Sequence, residues 1–405
     1  MTHTRLGRQR DFVRFWAADT VSLAGTHVTT LALKTVAVLT LGASATAAGL
    51  LESARWLPYL LFGLVAGVLV DRRRRLPLLI GADLARAAVL ALIPLLAFTG
   101  VLTLPLLAAI ILVFGTLSLF HDAAHQSFLP RLVPTAQLTD ANARMEQTRS
   151  VAQGLGPLAG GALVKLVGGP LAFLVDAVSY LGSALVLSRL RTVEPAPVPA
   201  ARDLRGEIRD GVRWIYRHPV LRPLALATHA WFLFASMIGA VYTVYVLDVL
   251  AFDPFLFGVT FAVGGLGGVL GASLSVPAGR RFGEGPVVLA GRWLAPAGYA
   301  LLPFATPTTG GFALLCAAQF VFYFALGVEG PVEMGYQQAI TPDHLQGRMN
   351  ATRRSFNRAM IVFGAPLGGL LADLLGMAEA LWIAVAGLVA QAVAITCSPV
   401  RTARL

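Results

Sequence analysis

The amino-acid sequence predicts an all-α integral membrane protein of twelve transmembrane helices, built as two six-helix halves with both termini on the cytoplasmic side. Three observations carry this. Of the 405 residues 56% are hydrophobic and only 13% charged, too apolar for a soluble protein of that length. Apolar runs of roughly 20 residues, the length needed to cross a bilayer, lie near 15–38, 48–70, 77–99, 104–124, 147–167, 171–189, 223–247, 256–277, 286–305, 311–333, 356–374 and 378–398. Between them 27 of the 32 Lys and Arg fall in alternate segments, 1–14, 71–76, 125–149, 189–222, 278–285, 334–358 and 399–405, and the intervening segments carry none. Cationic loops stay on the cytoplasmic side, which sets the orientation. The same placement accounts for the net charge of +11 without nucleic acid.

The first run is too long for a cleavable signal peptide and follows a short Arg-rich tail, so no leader is expected. It contains Asp19, Thr26, His27 and Lys34. Ionisable groups cost about 2.5–3.5 kcal/mol each in hydrocarbon, so they face a cavity or a partner. Lys34 and Glu52 lie at similar depths in spans 1 and 2 and are expected to pair, with Arg55 as a competitor. After span 2, Gly67, Asp71, Arg72 and Arg75 belong to a tight, strongly charged hairpin. Span 3 contains Asp83 and Arg86, one turn apart and roughly 9 Å inside the membrane at 1.5 Å per residue, which suits either static neutralisation or gating and proton coupling. In span 4 His121 and His125 share a face with Asp122 beside them. That spacing suits a metal but supplies no third ligand, so these read as titratable residues at the cytoplasmic mouth.

Span 5 carries Gly156, Pro157, Gly160 and Gly161, where small residues permit close helix approach and proline permits a bend. Lys165 and Asp176 flank the turn into span 6 as a candidate pair. Segment 191–222 is the one long polar stretch, a Pro-rich linker followed by an amphipathic helix expected on the inner leaflet. It divides the chain into halves at 1–190 and 223–405.

A shift of 208 residues aligns Pro134 with Pro342, Asn142 with Asn350, and Gly156, Gly160 and Gly161 with Gly364, Gly368 and Gly369. The halves therefore read as parallel repeats around a central cavity. Span 8 is glycine-rich from Gly264 to Ala272 and gives overlapping small-residue contacts. Tyr242, Tyr245, Trp231, Phe320 and Tyr323, with His229, Gln319 and Arg292, are compatible with an amphipathic, partly aromatic substrate. Glu329 and Glu333 close span 10, one turn apart and within reach of Arg292. Cys316 and Cys397 both fall in spans and imply no disulfide. Two Lys against 30 Arg suggest a high-GC bacterial genome.

The loop Gly67-x-x-x-Asp71-Arg72-x-x-Arg75 resembles the loop between helices 2 and 3 of major facilitator superfamily transporters, with Arg74 replacing a glycine and Leu76 a base. The glycines of span 5 resemble that superfamily's antiporter signature. Val21–Gly25, Leu129–Asn142 and Ile340–Ala351 are similar to phrases of its bacterial siderophore-exporter and macrolide-efflux branch. The resemblance implies that Asp71 sits against the start of helix 11 and, with Arg72 and Arg75, closes the cytoplasmic gate. It also implies a proton-driven exporter of a drug, antibiotic or siderophore, working as a monomer in the bacterial plasma membrane without a cofactor. Asp19, Glu52, Asp83, Arg86, Asp176, Glu329 and Glu333 are the candidates for proton or substrate coupling. The helix 4 arginine of many drug/proton antiporters is absent. Lysophospholipid flipping, nutrient symport and a transport-dead receptor are the alternatives. No GxxxxGK[ST] loop is present for ATP, and no nucleophile–base pair marks an enzyme.

Overall fold

The computed structural model describes residues 6, 9–134, 137–192, 194 and 204–402. Within these it gives no surroundings for Leu64, Gly67, Val68, Asp71, Thr139, Ser150, Leu204, Arg205, Asp343 and His344. Thirteen α-helices follow in order: α1 Arg10–Thr35, α2 Ala45–Asp71, α3 Arg75–Phe98, α4 Leu104–Leu132, α5 Leu138–Val167, α6 Gly169–Leu187, α7 Leu204–Arg217, α8 Leu221–Val244, α9 Pro254–Phe282, α10 Glu284–Tyr299, α11 Thr309–Ile340, α12 Asp343–Leu375 and α13 Met377–Thr396. Among the described residues eleven helices are long and apolar enough to cross a membrane, and α2 adds a further 27-residue helix.

Local chemistry sets the ends. Asp253 caps α9 by accepting from the Leu256 amide, with Pro254 opening the first turn. Thr308 does the same for α11 through the Gly311 amide. Such caps satisfy amides that the first turn leaves orphaned. Several helices outrun the apolar runs: α4 continues to Leu132, α11 to Ile340, and α12 begins at Asp343. Hydropathy marks only the part of a helix that meets lipid, and these helices continue beyond it as polar turns.

Residues 1–41 and 57–201 form one compact unit, and residues 42–56 and 202–405 a second. The first contains α1, the later part of α2, and α3–α6; the second contains residues 45–56 of α2 and α7–α13. At one end of the first unit Phe12, Phe15, Leu79 and Phe128 pack into a core with Met145 and Leu187.

Each unit repeats one close helix contact. Gly156 and Gly160 of α5 lie against His27, Val28 and Leu31 of α1, and Gly364 and Gly368 of α12 lie against Leu233, Ser236 and Met237 of α8. In the second unit Gly267 and Gly271 of α9 abut the backbone of α11 at Phe320 and Phe324, the contact expected of that glycine-rich stretch. A side chain at Gly368 would meet the Met237 backbone, whereas one at Gly182 of α6 would meet nothing within 4 Å. Gly368→Leu should therefore destabilise the purified protein by about 1–3 kcal/mol, the cost of overpacking. Gly182→Ala should leave thermal unfolding in detergent near the wild-type curve.

The C-terminal ends of α1 and α8 also match. α1 continues into a π-helical turn, Val36–Thr40, and α8 into another, Tyr245–Val249. Each is followed by a left-handed residue, Gly42 (φ 61°) and Ala251 (φ 52°). Gly168 and Gly376, at φ 84° and 114°, join α5 to α6 and α12 to α13 in the same way.

The linker helix α7 departs from expectation in what covers it. Its apolar side is taken by protein: Ile215 packs with Leu221, Ala225 and Met349, flanked by Trp214, Tyr216 and Ile340. Arg348 of α12 holds Asp210 at 2.8 Å and approaches Glu207 at 3.9 Å. Arg209, Arg213 and Arg217 stay exposed on the other side.

Candidate functional site

The first unit gathers several of its buried charges at one place. Asp83 and Arg86 of α3 form an ion pair one turn apart, and Asp83 has no exposed surface. His121 of α4 brings Nε2 to 3.5 Å from Asp83 Oδ1. One turn on, His125 Nε2 lies 2.9 Å from Asp19 Oδ1 of α1. Phe15 stacks on the His125 ring at 4.7 Å, and the two imidazoles stack at 5.9 Å. The Arg86 guanidinium sits 4.1 Å over the Tyr180 ring of α6, and the Tyr180 hydroxyl hydrogen-bonds Thr26 of α1 at 2.9 Å. Tyr59 of α2 donates to Asp122 at 2.7 Å, and His121 Nδ1 lies 3.8 Å from that carboxylate. Asp83 Oδ2 and His121 Nδ1 are buried without a hydrogen-bond partner among the described residues.

The arrangement alternates acid and imidazole from Asp19 to His125, and from His121 to Asp83, ending on a guanidinium that cannot give up its proton. Histidine changes charge near neutrality and each nitrogen takes a distinct role. A carboxylate–imidazole pair inside a membrane therefore places two groups of different proton affinity side by side.

The second unit builds a counterpart with different chemistry. Arg292 of α10 donates through Nη2 to Glu333 Oε2 at 2.6 Å and to Thr228 of α8 at 2.9 Å, and its Nε lies 3.3 Å from Glu329 Oε2. Gln337 donates to the second Glu333 oxygen at 2.8 Å. His121 and His125 stand 208 residues before Glu329 and Glu333, the shift that aligns the glycines. Two positions in the repeat are therefore imidazole in the first half and carboxylate in the second. The first cluster pairs imidazoles with carboxylates, while the second is an arginine closed on two carboxylates.

Among the other sequence candidates, Arg75 is the buried first residue of α3 and Arg72 is exposed in the preceding turn. Gly67 and Asp71 lie outside the described surroundings. Gly156, Pro157, Gly160 and Gly161 lie on α5, where Gly156 and Gly160 meet α1. Asp176 of α6 is fully buried beside Gly25 and accepts from Ser179 at 2.9 Å. Glu52 accepts from Trp56 at 2.8 Å, and that indole lies under the Arg358 guanidinium at 3.8 Å. His229 is satisfied on both nitrogens, by Tyr216 and Asn357 at 2.8 Å each, which gives it a structural place. Trp231 stacks on Phe322 at 5.7 Å, which stacks on Tyr299 at 4.0 Å. The Trp231 Nε1 and Gln319 Oε1 atoms are buried without a hydrogen-bond partner among the described residues. Among those residues no group of three His, Cys, Asp or Glu could hold a metal.

Sequence reading singled out Asp19, Asp83 and Arg86 but gave no role to Tyr59, Tyr180 or Thr26, and left the two histidines out of the coupling set. The 208-residue shift was the available signal, since it lays His121 and His125 on two carboxylates already chosen.

Comparison with known proteins agrees with this architecture. A family model described as "Transmembrane secretion effector" matches residues 6–404. The chain is 30% identical to the multidrug efflux pump Tap of Mycobacterium tuberculosis over 92% of this chain and 91% of that one. It is 24% identical to macrolide efflux protein A of Streptococcus pyogenes over 97% and 96%. A bacterial homologue of the iron transporter ferroportin in its inward-facing state superposes with a TM-score of 0.76 at 14% identity, over 95% of this chain and 98% of that one. The protein is thus a multi-pass transporter of the bacterial plasma membrane and not an enzyme. The chain belongs to the transmembrane secretion effector family of the major facilitator superfamily.

Proposed function

We propose that this protein is a proton-driven exporter of a small amphipathic compound, of the drug, antibiotic or siderophore kind, working by alternating access. The observation that carries the coupling is the Asp19–His125 contact at 2.9 Å beside His121 and Asp83. Titratable pairs in hydrocarbon are costly, and in transporters they mark proton or substrate paths. The export of drugs rests on the names borne by the two efflux relatives. In this reading all twelve long helices span the bilayer, both termini face the cytoplasm, and the two halves, 1–190 and 223–405, rock about a midplane cavity with 191–222 as their linker. The protein acts as a monomer. Asp71, with Arg72 and Arg75, locks the cytoplasmic gate. Trp231 and Gln319 offer an aromatic face and a polar atom to substrate.

The test is growth of an efflux-deficient bacterium expressing the chain, against antibiotics, dyes and siderophores, with Asp71→Asn alongside. The wild type should raise tolerance to at least one compound, an uncoupler should abolish the gain, and Asp71→Asn should lower it with membrane abundance unchanged. Wild-type tolerance that survives the uncoupler would overturn proton drive. An unaltered Asp71→Asn would overturn the gate.

A further inference from the structure

A cavity of about 570 Å³ opens where α7 turns into α8 beside the start of α12, lined by Asp210, Arg213, Trp214, Arg217, His218 and Arg348, with Pro219 and Leu345 beneath. Its charge is unbalanced. Asp210 is taken by Arg348 at 2.8 Å, which leaves Arg213 and Arg217, one turn apart, without an ion pair among the described residues. His218 is fixed as a donor. Its Nδ1 accepts from the amides of Val220 and Leu221 at 3.2 Å each, so the remaining ring proton is on Nε2. Burial pushes His218 below its ordinary value, which keeps the ring neutral and in that tautomer. Trp214, 5.5 Å from the imidazole, adds the amphipathic ring that sits at headgroup level.

Planar guanidinium pairs bind phosphate through paired N–H donors, and basic pockets on the cytoplasmic face accept anionic headgroups. We propose that this cavity binds the phosphate of an anionic inner-leaflet phospholipid, with Arg213 and Arg217 as its charge partners, His218 Nε2 as a neutral donor, and the acyl chains leaving over Pro219 and Leu345. The alternating cation pattern puts α7 on the cytoplasmic side, next to such lipids. A headgroup here would add to the contacts that hold α7 against the ends of α8 and α12.

The experiment is thermal unfolding of the purified, detergent-solubilised full chain titrated with phosphatidylglycerol, phosphatidylcholine or inorganic phosphate. Phosphatidylglycerol should raise the transition well above phosphatidylcholine. In the double variant Arg213→Gln, Arg217→Gln the half-saturating concentration should rise about thirtyfold, from the loss of two surface-proximal cations. The control pair Arg280→Gln, Arg281→Gln, equally exposed at the end of α9, should keep the wild-type lipid response. Equal responses to the two lipids, an unchanged double variant, or an equal loss in the control pair would overturn the proposal. A full shift with inorganic phosphate alone would overturn the lipid source. The readout is binding, so the result stands whether or not the chain exports drugs.

Discussion

Arg292→Leu should destabilise the protein by about 3–5 kcal/mol, because it strips the cation from two carboxylates that stay buried. Glu329 and Glu333 are 4% and 7% exposed, and after the change Thr228 and Gln337 are the hydrogen-bond partners left to Glu333 among the described residues. Thermal unfolding in detergent should show an early transition, and membrane abundance should fall with it. Adding Glu329→Gln and Glu333→Gln should recover most of the loss, since a neutral cluster has no uncompensated charge. A single variant as stable as the wild type would mean that water reaches this cluster and that Arg292 is not its lock.

Asp19→Asn should have the opposite profile: a normal amount of folded protein and failed export. The amide keeps the size of the side chain and can still hydrogen-bond His125, but no longer forms a carboxylate–imidazole pair able to carry a proton. Net efflux against a gradient should fall by about tenfold, the size expected from losing a coupling of about 1–3 kcal/mol between two sites. Exchange of labelled for unlabelled substrate across vesicles should persist, because exchange needs no net proton movement. Loss of both would point to a packing role for Asp19, and retention of both would remove it from the coupling path. His125→Asn should behave alike, because it breaks the same 2.9 Å contact from the other side.

The architecture was legible because its causes are local. Span length is a property of short segments, and a helix lies at each of the twelve apolar runs. The reach of Arg292 to Glu329 and Glu333 was legible too, because both carboxylates sit one turn apart on one helix. The first cluster was not, since Asp19, Asp83, His121 and Tyr180 come from four helices and nothing in their spacing states which faces meet. The covering of α7 was equally hidden. An amphipathic helix declares that its apolar side must be covered, and both lipid and the start of α12 satisfy that demand. The roles of Asp71 and Gly67 rest on resemblance alone.

The paired π-helical turns, with the left-handed Gly42 and Ala251 behind them, say something about ancestry. An alanine held at φ 52° pays a steric cost that a glycine avoids, of about 1 kcal/mol. The two halves reach the same left-handed conformation with different residues, as expected if one six-helix gene was duplicated and the bend came with it. Each π turn is in effect a one-residue insertion, which turns everything beyond it by about 100° around the helix axis. Deleting that residue from only one copy would turn the loop beyond it out of phase with its counterpart in the other half.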